Sequence, residues 1–215
     1  MTGIPDNHAL IAAWLAARSI GRGLPLPVAD RGGLRVDTNL SNETRRWVFV
    51  TVCDGLRTIG REVSQPQHFV KLCGAADELM AELPPTWVLQ PQGHFMIAQA
   101  DKPAPRSLPK GYRLQSDREG ATTVVRILAE DDALAASGYA VEAMGALIYD
   151  RIVTAPEHQR KGLGNIVMHA LKGHRASTAV PELLVATEEG RALYETLGWS
   201  VLSPFSTAAI PANLR

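Results

Sequence analysis

The segment IVTAPEHQRKGLGNIVMHAL, residues 152–171, concentrates residue types that handle an anion. A β-branched run reaches Pro156, and Gln159-Arg160-Lys161-Gly162-Leu163-Gly164 then opens a stretch with Leu163, Ile166, Val167, Ala170 and Leu171 at helical spacing. Amides in the first turn of a helix have no intrahelical partner and carry partial positive charge, so they attract negative oxygens. Glycines at 162 and 164 remove side chains where such oxygens must approach the backbone. Arg160 and Lys161 add cationic donors. The assembly suits a pyrophosphate.

Three anion loops compete for this pattern. A nucleoside-triphosphate loop needs Lys and then Ser or Thr after the second glycine, where Asn165 and Ile166 stand. A dinucleotide fold needs GxGxxG on a parallel βαβ unit, which is absent. The third pattern, (Q/R)xxGx(G/A), is matched in full from Gln159 to Gly164. Downstream, LLVATEEGRALYETLGW, residues 183–199, supplies a strand, a helix and a YxxxGW ending at an interval of one helix and a turn. Together the two motifs resemble the GNAT superfamily of N-acyltransferases. The resemblance spans about residues 111–210, and the first hundred residues match no named family.

The resemblance implies a set of roles. The loop Gln159, Arg160, Lys161, Gly162, Leu163, Gly164 and Asn165 would hold the pyrophosphate of acetyl-CoA. The strand before it and the strand after its helix would splay, so that pantetheine pairs with Ile152, Val153 and Thr154 like an added strand. An amine acceptor, small molecule or peptide, would attack the thioester directly beside a backbone amide that stabilises the oxyanion. Tyr194 stands where the family's general acid commonly lies, and a phenol with an ordinary pKa of about 10 keeps its proton at neutral pH. Its other reading is core packing beside Leu193. Asp150 and Glu142 are base candidates, and each reads as well as a solvated or ion-paired strand residue. His8, His68, His94, His158, His169 and His174 form no metal motif, so no metal is expected. Thr187 fits the N-cap of the last helix and Gly198 its stop.

These residues need a frame. Strands are expected at Tyr112–Leu114, Ala121–Ala129, Leu134–Met144, 146–155, Leu183–Ala186 and 201–210. Helices are expected at 162–171 and 188–197. Upstream, Ala9–Ala17 reads as a packed helix, residues 20–33 as a loop, and Leu34–Asp37 and Arg46–Val52 as strands. Residues 68–90 read as strand, helix, strand. The prolines of DKPAPRSLPK, residues 101–110, mark a linker, which divides the chain into an α/β region at 1–105 and a GNAT domain at 106–215. FVKLCGAADELMAEL with nearby Trp87 resembles LVATEEGRALYETL with Trp199, either as a degenerate duplication or as shared strand–helix–strand grammar. The fold class expected is α+β, a mixed sheet covered by helices.

Two features depart from the family. Its members usually place two helices between the first and second strands, and here only SDREG, residues 116–120, intervenes. The first half, or a partner chain, must then supply the acceptor wall. The chain also ends soon after Ile210, with little room for a seventh strand. A two-lobed plan like that of glycine N-acyltransferase-like proteins would meet both conditions. The alternatives are a non-catalytic acyl-CoA-binding module, or transfer to a group other than an amine.

Bulk properties agree with an ordinary folded chain. The 215 residues are 46% hydrophobic and 20% charged, with 22 basic against 22 acidic side chains. A zero balance gives no support for a nucleic-acid partner. Cys53 and Cys73 without a CxxC pair point to a reducing cytoplasm. The run ALIAAWLAA is too short for a bilayer and has no basic leader, so neither membrane span nor signal peptide is expected. A monomer or homodimer is expected.

Overall fold

Alternation of apolar and polar side chains sets most of the strands. His68–Leu72 and Thr122–Ala129 bury every second residue, the signature of a strand with one face on a core. The computed structural model describes residues 7–99 and 106–212, so the domain boundary expected at 105/106 falls at the edge of a segment outside the described residues.

In chain order the elements are α1 (Asn7–Gly21), β1 (Val28–Asp30), β2 (Gly33–Leu40), β3 (Glu43–Phe49), α2 (Asp54–Glu62), β4 (His68–Leu72), α3 (Ala76–Ala81), β5 (Val88–Leu89) and β6 (Gly93–Ala98). After the linker come β7 (Tyr112–Glu119), β8 (Thr122–Ala129), β9 (Leu134–Ala143), β10 (Ala146–Thr154), α4 (Leu163–Gly173), β11 (Glu182–Thr187), α5 (Glu188–Thr196) and β12 (Trp199–Ala209). The mixed α/β class expected from the sequence is the one observed. Three elements lie where no element was read: β1, inside the stretch 20–33 expected as a loop, α2 and β6. The short strand expected at Tyr112–Leu114 extends to Glu119, so residues 116–119 are strand and the turn is at Gly120, with φ 55°.

Among the described residues one 12-stranded sheet runs β1-β2-β3-β4-β12-β6-β11-β10-β9-β8-β7, with β5 beside β12. The halves are interleaved at its centre. β6, from the first half, lies between β11 and β12, and the far end of β12 pairs with β4. The expected shortage of a strand at the C-terminus is therefore made good by residues 93–98. Phe95 of that strand is fully buried, a side chain whose burial contributes about 1.5–3 kcal/mol.

Three apolar clusters cover the sheet. α4 packs on one face of β8–β10 with Val125, Ile127, Val167 and Leu171. α1 places Leu10, Ile11, Trp14 and Leu15 in a second cluster with Val141 and Ile148, over β9 and β10. A third cluster, around Trp47, Leu56, Leu79 and Trp87, belongs to the first half with α2 and α3. No helix among the described residues is long and apolar enough to cross a membrane.

Candidate active site

β3 and β4 are parallel, joined through α2, and pair without a break from Arg45 opposite His68 to Phe49 opposite Leu72. β10 and β11 are also parallel, joined through α4, but pair only at Leu147–Glu182 and Ile148–Leu183. Beyond Ile148 the strands part. A β-bulge between Asp150 and Val153 bends β10, with Arg151 at φ 53°. Left-handed backbone is costly for a non-glycine residue, so something must hold it. Arg151 stacks 3.6 Å from the Tyr139 ring centroid and donates to the Gly21 carbonyl at 3.0 Å.

The gap opens into a groove of 840 Å³, walled by β10 and the loop on one side and by the first turns of α5 on the other. Ile152, Thr154, Gln159, Arg160, Gly162, Leu163, Gly164 and Asn165 line it, so eight of the ten residues expected to bind a cofactor come together. Lys161 and Val153 do not line it. Lys161 donates to the Tyr112 hydroxyl at 2.9 Å, which also meets His158 Nδ1 at 2.9 Å. Val153 points its side chain outward, 58% exposed. Gly162 caps α4 at φ 79°, and Arg160 stands at φ 62°, so the chain turns sharply there and leaves the amides of the first helical turn facing the groove. A Cβ at Gly164 would approach Leu193 to 3.0 Å. Thr187 caps α5, its hydroxyl accepting from the Gly190 amide at 3.2 Å.

Arg106 belongs to this site and was not foreseen. Its backbone amide donates to Asn165 Oδ1 at 3.3 Å, and its side chain lies 3.0 Å from where a Cβ of Gly162 would be. Its position inside a proline-rich linker gave no local pattern to mark it. Arg106, Arg160 and the α4 N-terminus give the groove a cationic end that fits a diphosphate.

The three proposed acid and base residues separate. Tyr194 is buried on α5 against Trp199 and close to Gly190. Burial, and then the Asp150 carboxylate, push its phenol up to about 12, so it holds its proton across the neutral range. Asp150 accepts two bonds from Arg22, at 2.6 and 2.8 Å, with Arg151 at 3.6 Å and Arg18 at 3.9 Å. Burial raises its pKa, but the three guanidiniums outweigh burial and leave it lowered. A carboxylate so engaged is a weak base. Glu142 accepts from the amides of Ala176 and Ser177 at 2.5 and 2.8 Å, fastening the loop after α4 at the closed end of the β10–β11 pair. It does not line the groove.

A second, smaller cavity of 220 Å³ lies between the halves, bounded by α1, β3, β4, β12 and the splayed ends of β10 and β11. Tyr149, Asp150 and Ala186 line it, and Thr187 lines both cavities. Thr187 is thus common to the walls of both.

Residues 121–201 match a family model described as an acetyltransferase (GNAT) domain. Comparison with curated proteins found no match. Among solved structures, a GCN5-related N-acetyltransferase from Kribbella flavida aligns over 98% of both chains at TM-score 0.66 and 12% identity. A putative GNAT-family acetyltransferase from Novosphingobium aromaticivorans aligns over 94% of this chain and 97% of its own, at TM-score 0.60 and 14% identity. A structure described as a tandem GNAT protein from the clavulanic acid biosynthesis pathway aligns over 99% and 98%, at TM-score 0.56 and 12% identity. The chain thus has the fold of GCN5-related N-acetyltransferases, and its similarity to the acetyltransferase family model lies in residues 121–201.

Proposed function

We propose that this chain, with its GNAT domain at 121–201, moves an acetyl or short acyl group from acyl-CoA to an amine. The observation that supports this most is that two cavities on either side of the β10–β11 splay share Thr187 in their walls. One has an anion-binding end and the other is closed by α1. The residues present fit acyl-CoA as a substrate: bare amides and Arg160 at α4 for the diphosphate, and the unpaired edge of β10 for the pantetheine amides. That substrate brings the activated thioester.

The chain's own groups then orient and protonate. Thr187 and the bulge after Asp150 bound the point where an amine in the small cavity meets a thioester from the groove. The amine nitrogen attacks the acyl carbon, the carbon–sulfur bond breaks and sulfur keeps the pair. Tyr194 donates the proton that the departing sulfur takes, and the proton lost by nitrogen passes to water and returns to the phenolate. Asp150, held by Arg22, positions the wall of the cavity. Incubation with acetyl-CoA and a panel of amines, following free thiol, tests the assignment. Turnover with at least one amine is expected, whereas tight CoA binding with no turnover across a broad panel would favour a non-catalytic acyl-CoA-binding module, a reading that the pairing of Asp150 supports.

The first half is proposed as a degenerate GNAT-like lobe of residues 1–105. Its β3-α2-β4-α3 order repeats β10-α4-β11-α5, and Trp87 and Trp199 are buried after the last helix of each. Its β3–β4 pair is closed, and Asp54 occupies the first turn of α2 where an anion would sit in the other half. These features support one acyl-CoA site per chain. The similarity to a structure described as tandem GNAT supports the same reading.

A further inference from the structure

The small cavity has a chemistry of its own. Its walls include Trp14, Leu15, Val185 and Phe205, but three cations also line it: Arg18 from α1, Arg46 from β3 and Lys71 from β4. Two carboxylates face this cluster, and both are already committed. Asp150 is held by Arg22 through two hydrogen bonds, and Glu43 bonds Arg46 Nε. Arg18 is left with Asp150 at 3.9 Å and the ring of Trp14 at 5.7 Å. Lys71 donates to the Thr207 hydroxyl at 3.3 Å and lies 5.6 Å from the Phe69 ring, with no carboxylate in ion-pair range among the described residues. Half-buried cations without a matched anion carry part of a desolvation cost. The strain registers in the groups themselves: burial pushes the Lys71 ammonium down to about 8 and Arg18 down to about 10.

The cations also have a direction. Arg46 and Lys71 project from the first-half strands and Arg18 from α1 beside Asp150, while Tyr149, Ala186 and Thr187 form the side that shares Thr187 with the groove. A ligand with an acid group on Arg18 and Lys71 would therefore turn its other end toward the splay. At 220 Å³ the space is below the ~300–1,000 Å³ typical of drug-sized ligands, which suits a molecule of amino-acid size. We infer that the acceptor is a small amine that also carries an acid group, which Arg18 and Lys71 hold while the amine faces Thr187. This rests on the acyl-transfer reading and narrows its substrate class.

Matched pairs of amines separate the acid group from the amine: glycine against methylamine, β-alanine against ethylamine, phosphoethanolamine against ethanolamine. With saturating acetyl-CoA, the acid-bearing member of at least one pair is expected to show a kcat/KM at least tenfold higher. The carboxylate and phosphate arms tell which acid fits. Lys71→Met, alone and with Arg18→Met, should raise KM for that acceptor at least tenfold while leaving the Kd for CoA and the melting temperature unchanged. Equal or better turnover of the acid-free partners would overturn the inference, as would an unchanged KM in the folded Lys71→Met variant. If no amine turns over, calorimetry with the same acid-bearing amines decides. Heat that disappears in Lys71→Met supports the cavity assignment, and no heat with any of them refutes it. A protein silent toward CoA would end the acyl-transfer reading separately, since acid binding in the cavity is measured without CoA.

Discussion

Tyr194 and Asp150 show how a residue's surroundings decide which of several sequence roles it can fill. Tyr194 read as an acid or as packing; its phenol, pushed up to about 12, stays protonated across the neutral range, while the side chain is buried and lines neither cavity. Tyr194→Phe should lower kcat by about a hundredfold with KM for acyl-CoA unchanged, the size expected for loss of a general acid. Unchanged turnover would remove Tyr194 from the mechanism. The same shift has a stability consequence. A folded pKa of about 12 against 10.0 unfolded means that its contribution is whole below pH 10 and is lost as pH rises toward 12. Thermal melts of wild type and Tyr194→Phe should converge over that window. Asp150 looked like a base because it lies on a strand near the cleft. Only the structure brings Arg22, 128 residues away in sequence, onto both of its oxygens. Gly162 and Gly164 were legible because their use is local, in a turn and a bare helix end. Arg106 was not, because only the folded structure places its side chain over Gly162.

At the scale of elements, the difference between β3–β4 and β10–β11 separates a closed lobe from an open one. Both are strand–helix–strand crossovers, but only β10 carries a bulge next to its parallel partner's end. The sequence marks neither the bulge nor the splay, since both depend on what β10 packs against. Most second-half elements were legible from periodicity: the expected helices at 162–171 and 188–197 appear as α4 and α5, within two residues at each end. α2 escaped because DGLRTIGRE has two glycines and buries only Leu56 and Ile59 among its apolar side chains. β6 escaped because GHFMIA is a short apolar run, which periodicity alone cannot place, and its partners are about 90 residues further along the chain.

For the molecule as a whole, the interleaved strands make the halves interdependent. Without residues 1–105, β11 and β12 would lose β6 from between them, and the end of β12 would lose β4. Exposed edges of that kind recruit other chains. A fragment of 106–215 should therefore aggregate or lack a cooperative thermal transition, measured by circular dichroism and light scattering, and a stable monomeric fragment that binds CoA would contradict this arrangement. The same interleaving brings α1 onto β9 and β10 from the far end of the chain, a contact that nothing in the second half of the sequence marks.

The most direct measurement is isothermal titration of CoA and acetyl-CoA into the purified full-length protein, beside Gly164→Val. That substitution adds bulk within 3.0 Å of Leu193 at the mouth of the phosphate loop, at a position with ordinary negative φ. The account predicts one CoA bound per wild-type chain, and an affinity at least a hundredfold weaker in Gly164→Val with its melting temperature within a few degrees of wild type. Absence of heat with CoA and its thioesters in the wild type, or full affinity in the variant, would contradict it.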